Sequence, residues 1–253
     1  VFVHYAGIAC DMDPIVELCK QKKIMIIEDA AQGIHAKYKN RPLGSIGNMG
    51  TLSFHETKNI ISGEGGLWIG NDENFFERAS ILRDKGTNRK AFYEGQVEKY
   101  EWVDLGSSHL PSEIISAYLY AQLMNVEKIT NSRVRKWNKY YKQLKMLENF
   151  GVSLPFIPEY SSNNGHIFYL VLDSFEVRSQ LIIYLKDKKI LPTFHYQSLH
   201  KSKFYQKNNI LLSLPYSDLY SERLIRLPLY HDMTDQQINY VIENTIDFFK
   251  KNI

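Results

Sequence analysis

The chain predicts an α/β fold: part of a large mixed-sheet domain followed by a small α+β domain. Three observations carry this. Ile24-Met25-Ile26-Ile27 is apolar at every position, as in a parallel-sheet strand buried on both faces. An amphipathic helical stretch precedes it and a short strand near Phe2 precedes that, giving strand, crossover helix, strand. Beyond about Thr130 the texture changes, so the domains are expected at 1–130 and 131–253.

The elements follow in order. Asp13 as N-cap and Pro14 at the first helical position predict a helix running to about Lys22, with Ile15, Leu18 and Cys19 on one face. Gly44, Gly47 and Gly50 punctuate the loop after the apolar strand. Thr51 to Phe54 and Leu67 to Ile69 read as short strands. Residues 72–84 read as a helix with Phe75, Phe76, Ala79 and Leu82 at helical spacing. A mixed loop spans Lys85 to Leu110. Ser112 to Leu147 is helical, first apolar and then basic and aromatic, a length that links two domains or breaks in two. In the second domain, His166 to Leu172 and Leu191 to Tyr196 are expected strands, and Val177 to Lys188 a helix. Thr234 with Gln237 forms a capping box for a last helix ending near Lys251.

Composition narrows the function. Hydrophobic content is 44% and charged content 23%, with a net charge of +3 and no basic arm, which argues against nucleic acid as a partner. Two cysteines make neither a disulfide framework nor a zinc motif, which fits the cytoplasm, and no metal site is expected. No apolar stretch approaches the ~20 residues of a membrane span, and no signal peptide is expected. The chain opens on a strand without methionine, so an upstream segment is expected.

The chemistry concentrates around Lys58. It lies in Ser53-Phe54-His55-Glu56-Thr57-Lys58-Asn59, with Gly63-Glu64-Gly65-Gly66 shortly after and Glu28-Asp29-Ala30-Ala31-Gln32 closing the strand upstream. Pyridoxal 5'-phosphate needs a lysine for a Schiff base, an acid for its ring nitrogen and a hydroxyl for its phosphate. Lys58, Asp29 and Ser53 offer these, and Gln32 can reach the ring oxygen. Taken singly, each has a plainer role: a helix cap for Asp29, an exposed polar residue for Gln32, a strand serine for Ser53, a surface lysine for Lys58. His55 lies beside the cofactor or packs. The glycines allow positive φ and close backbone approach.

In order and spacing, these motifs resemble the DegT/DnrJ/EryC1/StrS sugar aminotransferases, which are fold-type-I pyridoxal phosphate enzymes, across essentially the whole chain. The resemblance implies Lys58 as Schiff-base lysine and proton shuttle, Asp29 on the ring nitrogen, Gln32 beside the ring oxygen and Ser53 on the phosphate. It implies glutamate and a nucleotide-linked keto sugar as substrates, and a homodimer. Within the family, SFHETKN, LRDKGTNR and FHYQSLH look like the branch that makes dTDP-4-amino-4,6-dideoxygalactose from dTDP-4-keto-6-deoxyglucose for enterobacterial common antigen. Two departures stand out. Leu110 occupies the place where many members carry an asparagine for the partner's cofactor phosphate, with Ser107 or Ser108 as substitutes. The family's first third, with its phosphate clamp and ring-stacking aromatic, is absent.

Further candidates are His195, Tyr196 and His200 for the sugar-nucleotide diphosphate, and Lys85, Asn88 and Arg89 for a diphosphate or carboxylate. The alternatives are structural histidines and a solvated basic loop. The competing functions are a transaminase for another sugar carbon or a UDP-sugar, and an inactive remnant.

Overall fold

The computed structural model describes residues 1–208 and 212–252. They form two compact units: Val1–Ile129 with Pro158–Asn164, and Thr130–Ile157 with Gly165 onward. The segment Pro158–Asn164, which the sequence places in the second domain, packs with the first. Among the described residues no helix is long and apolar enough to cross a membrane.

The first unit opens with β1 (Phe2–Val3), α1 (Met12–Lys22) and β2 (Ile27–Asp29). A hairpin of β3 (Lys37–Tyr38) and β4 (Arg41–Pro42) follows, then β5 (Met49–Ser53) and β6 (Gly66–Gly70). The main sheet runs β1-β2-β5-β6, with β1, β2 and β5 parallel and β6 antiparallel to β5. After β6 come α2 (Phe76–Arg83), α3 (Arg89–Tyr93), α4 (Glu113–Leu123) and α5 (Val126–Leu144). The long helical stretch therefore breaks, at Met124–Asn125, and the mixed loop holds the short α3. The expected apolar face of α2 is not buried: Phe76 and Leu82 are exposed.

Two expectations are corrected. The N-cap of α1 is Asp11, with Pro14 at the third helical position, where its missing N–H is one the helix leaves unpaired anyway. Asp11 accepts a hydrogen bond from the buried Tyr38 hydroxyl at 2.6 Å, and Asp13 instead pairs with Lys39 and Arg41. Second, the apolar run is not one buried strand. Ile26 is buried, but Ile24 and Met25 are 59% and 58% exposed, and the paired strand starts only at Ile27. Ile24 is still tied to the end of α1, its N–H donating to the Cys19 carbonyl, and β1 reaches β2 only at Glu28.

Gly50 shows how tightly β5 is built in. A Cβ there would lie 2.0 Å from the Gly44 carbonyl oxygen. Gly50→Ala is expected to cost about 1–3 kcal/mol, read as a lower denaturation midpoint; an unchanged midpoint contradicts this packing.

The second unit is built on β7 (Phe168–Val171), β8 (Thr193–Phe194) and β9 (Leu224–Leu227), in the antiparallel order β7-β9-β8. The sequence reading missed the central strand β9, whose four residues are interrupted by Arg226 and followed at once by Pro228. The helices here are α6 (Phe175–Asp187), α7 (Lys203–Asn208), α8 (Pro215–Arg223) and α9 (Asp235–Asn252). Trp137, Tyr140, Phe168, Leu170, Leu181, Ile225 and Phe249 share its core. The Thr234 capping box is present in both directions: Thr234 N–H donates to Gln237 Oε1, and Gln237 N–H to Thr234 Oγ1.

Candidate active site

Parallel strands place their carboxyl ends on one edge, where α/β sheets hold ligands. In this unit that edge is formed by Val3, Asp29 and Ser53. Asp29 is in register with Val3 on one side and Thr51 on the other. Side chains alternate along a strand, so Asp29, Thr51 and Ser53 share one face of the sheet. Glu28 lies on the opposite face.

Asp29 is half-buried, and its Oδ1 accepts the Ala31 N–H at 3.0 Å. No helix follows it, so its local role is an Asx turn and not a helix cap. One carboxylate oxygen remains to face a ring N–H. Gln32 Oε1 accepts the Ala6 N–H at 2.6 Å, which leaves its Nε2 as the donor it can offer. Ser53 Oγ accepts the His55 N–H at 3.4 Å and keeps its own proton to donate.

Lys58 sits on the connection between β5 and β6, half-buried. The ladder continues past the strands: Phe54 N–H donates to Gly65 O and Glu56 N–H to Gly63 O, both at 2.9 Å. The chain then turns, with Lys58 N–H donating to His55 O and Ser62 N–H to Phe54 O. Gly63 (φ +87°) and Gly65 (φ +156°) supply backbone conformations that side chains resist. Phe54 and Ile60 flank Lys58 and bury themselves with Ile129. His55 belongs to the turn: its Nδ1 accepts the Thr57 N–H at 3.2 Å.

Under this edge lies a group whose role the sequence reading did not foresee. Glu28 is fully buried and accepts hydrogen bonds from the N–H groups of Gly44, Ile46 and Gly47 at 3.0, 2.6 and 2.5 Å. His4, also fully buried, lies with Nε2 at 2.9 Å from the same carboxylate, while its Nδ1 accepts the Cys10 N–H. Burial alone would push the Glu28 carboxyl up; the hydrogen bonds from His4, Gly47, Gly44 and Ile46 outweigh it and hold the carboxyl below its ordinary value. Glu28 pins the glycine loop to the strand that carries Asp29. Strand alternation at Glu28-Asp29 was the signal that could have found it.

The remaining candidates stand elsewhere. Arg89 donates to the Tyr93 hydroxyl and faces Asp84 at 3.8 Å, so its charge is engaged within its own loop. His195 and Tyr196 belong to the second unit. Burial and the nearby Arg226 push the His195 imidazole down to about 4, so it is neutral near neutral pH. Tyr196 is exposed, with Arg226 over its ring at 5.6 Å. His200 is buried there, facing Asp218 at 3.3 Å.

The lysine turn thus lies between the last parallel strand and an antiparallel one, beside a strand that ends in an acid. Residues 1–245 match the DegT/DnrJ/EryC1/StrS aminotransferase family, and the chain belongs to it. An uncharacterized protein of Methanocaldococcus jannaschii, MJ1066, is 32% identical over 248 residues, covering 95% of this chain and 64% of that protein. DesV of S. venezuelae superposes with a TM-score of 0.88 at 26% identity, over 99% of this chain and 65% of that one. Spr1654 of Streptococcus pneumoniae, in its PMP form, superposes with a TM-score of 0.88 at 23% identity, over 99% and 69%. It has also been solved in a PLP form. The chain thus spans about two thirds of the length of these relatives. The family is pyridoxal phosphate-dependent. The donors on the sheet edge suit that cofactor: a carboxylate with a free oxygen, a hydroxyl, an amide N–H pair and an amine.

Proposed function

We propose that the chain is the part of an aminotransferase that carries the cofactor lysine, moving an amino group from glutamate to a nucleotide-linked keto sugar. The observation that carries this reading is the shared face of Asp29 and Ser53 at the carboxyl edge, with Lys58 on the turn that follows. Asp29 would hold the ring N–H, Ser53 would donate to the phosphate, and Gln32 Nε2 would face the ring oxygen. When bound, pyridoxal phosphate supplies an electron sink for the substrate's α-carbon. Lys58 would be the proton carrier, its amine taking a proton from that carbon as a base and its ammonium giving it up as an acid. Glutamate and the sugar take turns at one site, so ping-pong kinetics are expected.

The finer assignment is dTDP-4-keto-6-deoxyglucose as acceptor and dTDP-4-amino-4,6-dideoxygalactose as product, in a cytoplasmic homodimer. It is supported by the resemblance of the SFHETKN, LRDKGTNR and FHYQSLH segments to that branch. His195 and Tyr196 are proposed to face the sugar nucleotide, a neutral imidazole and a phenol both suited to hydrogen-bond it, and Arg89 to add a cation.

The test is to incubate the full-length protein with pyridoxal phosphate, glutamate and a panel of dTDP- and UDP-linked keto sugars. The expected result is a visible cofactor band and one amino sugar formed in preference to the rest. A band with turnover only on a different keto sugar would overturn the substrate assignment; no band would overturn the aminotransferase reading.

A further inference from the structure

The turn carrying Lys58 is tied to a residue more than a hundred positions away. Asn59, the next residue, is buried and donates from Nδ2 to the Asn164 carbonyl at 2.9 Å. Asn164 is fully buried and donates from its own Nδ2 to the carbonyls of Gln32 at 2.8 Å and Ile34 at 2.9 Å. One residue therefore joins the lysine turn to the segment that follows Asp29. Gly7 makes room for it: a Cβ there would lie 2.2 Å from Asn164 Oδ1. The strap bearing Asn164 is itself fixed. Ser161 Oγ accepts the Ala9 N–H at 2.9 Å, and Ser162 Oγ accepts the Lys37 N–H at 2.8 Å.

The turn is also held by its hydrogen-bonded base and by the apolar packing of Phe54 and Ile60. Apolar packing is non-directional and lets a turn rock on its base. Buried amide-to-carbonyl bonds fix direction, and leaving one unmade is costly. The brace spans the two segments whose relative placement matters, since an amine must meet a ring held by Asp29 and Gln32. A misplacement of about 1 Å at such a site costs on the order of 100-fold in rate.

On the reading of Lys58 as the cofactor lysine, we propose that Asn59 and Asn164 are positioning residues, setting the direction of the Lys58 amine relative to Asp29 and Gln32.

The experiment uses the full-length protein loaded with pyridoxal phosphate, with Asn59→Ala, Asn59→Asp and Asn164→Ala. Two quantities are read: the pH midpoint of the visible cofactor band, and the single-turnover rate with glutamate. Both Asn59 variants are expected to shift the midpoint and to slow turnover by ~10–100-fold, with glutamate KM changed less than about threefold. Asn164→Ala keeps the carbonyl that Asn59 uses and is expected to move both readouts in the same direction by less. If Asn59→Asp does not fold, the smaller, uncharged Asn59→Ala decides. Asn59 variants that melt earlier but keep the parent's midpoint and rate within about twofold overturn the proposal, because a merely structural residue would behave that way. A parent protein with no visible band overturns the aminotransferase reading, and this proposal with it.

Discussion

Lys58→Ala is expected to abolish the visible cofactor band and to lower transamination by on the order of a thousandfold or more. The reason lies in what the rest of the edge can and cannot do. On the proposed reading Asp29, Ser53 and Gln32 hold the ring and its phosphate, but none of them is an amine. Without Lys58 no side chain of this turn can both tether the cofactor and carry a proton to and from the substrate carbon. Glu56, two residues away, is an acid and no amine, and the His55 Nδ1 three residues away is occupied by the Thr57 N–H. Cofactor retention is expected to weaken and not to vanish, since the other three proposed contacts survive. Equilibrium dialysis with pyridoxal phosphate measures that, and visible spectroscopy measures the band. A Lys58→Ala protein that keeps both band and turnover would show that the lysine is a surface residue.

Glu28→Ala is expected to be the most destabilising single change in the first unit, by about 3–5 kcal/mol. It leaves three backbone N–H groups and the His4 ring without their acceptor in a site closed to water. The effect also carries a pH signature. The folded-state carboxyl titrates below its ordinary value of 4.5. Its stabilisation is therefore complete above that value and is lost as pH falls through the depressed folded value. His4, which Glu28 helps to raise from 6.5 to about 9, adds stabilisation that is full below 6.5 and is lost as pH rises toward 9. The gap between parent and variant in urea midpoint should therefore be widest between 4.5 and 6.5 and close progressively in acid. A gap of the same size at every pH would mean that the carboxylate's charge has no part in holding the glycine loop.

How much of this was legible in the sequence depended on distance along the chain. Lys58, Ser53 and the glycines could be read together because they lie within one short stretch of sequence. The hairpin around them was legible for the same reason, as was the Thr234 capping box. Ile24 and Met25 misled, because an apolar run says what a strand would bury but not where its partner begins. Glu28 was hidden beside Asp29: two adjacent acids look like one motif until alternation sends them to opposite faces. Asn164 gave no sign at all. It reads as part of a polar turn, Asn163-Asn164-Gly165, and its meaning lies in carbonyl groups that every residue possesses.

The 105-residue separation of Asn59 from Asn164 has a consequence for synthesis. The lysine turn leaves the ribosome long before its brace does. At roughly 5–20 residues per second, the nascent chain spends several seconds or more with that turn tied only to its own hairpin. Cofactor that meets the chain during this interval meets an unfinished cradle. Release from the ribosome, or a pause placed after residue 164, is then the earliest moment at which the lysine can be held in its final place.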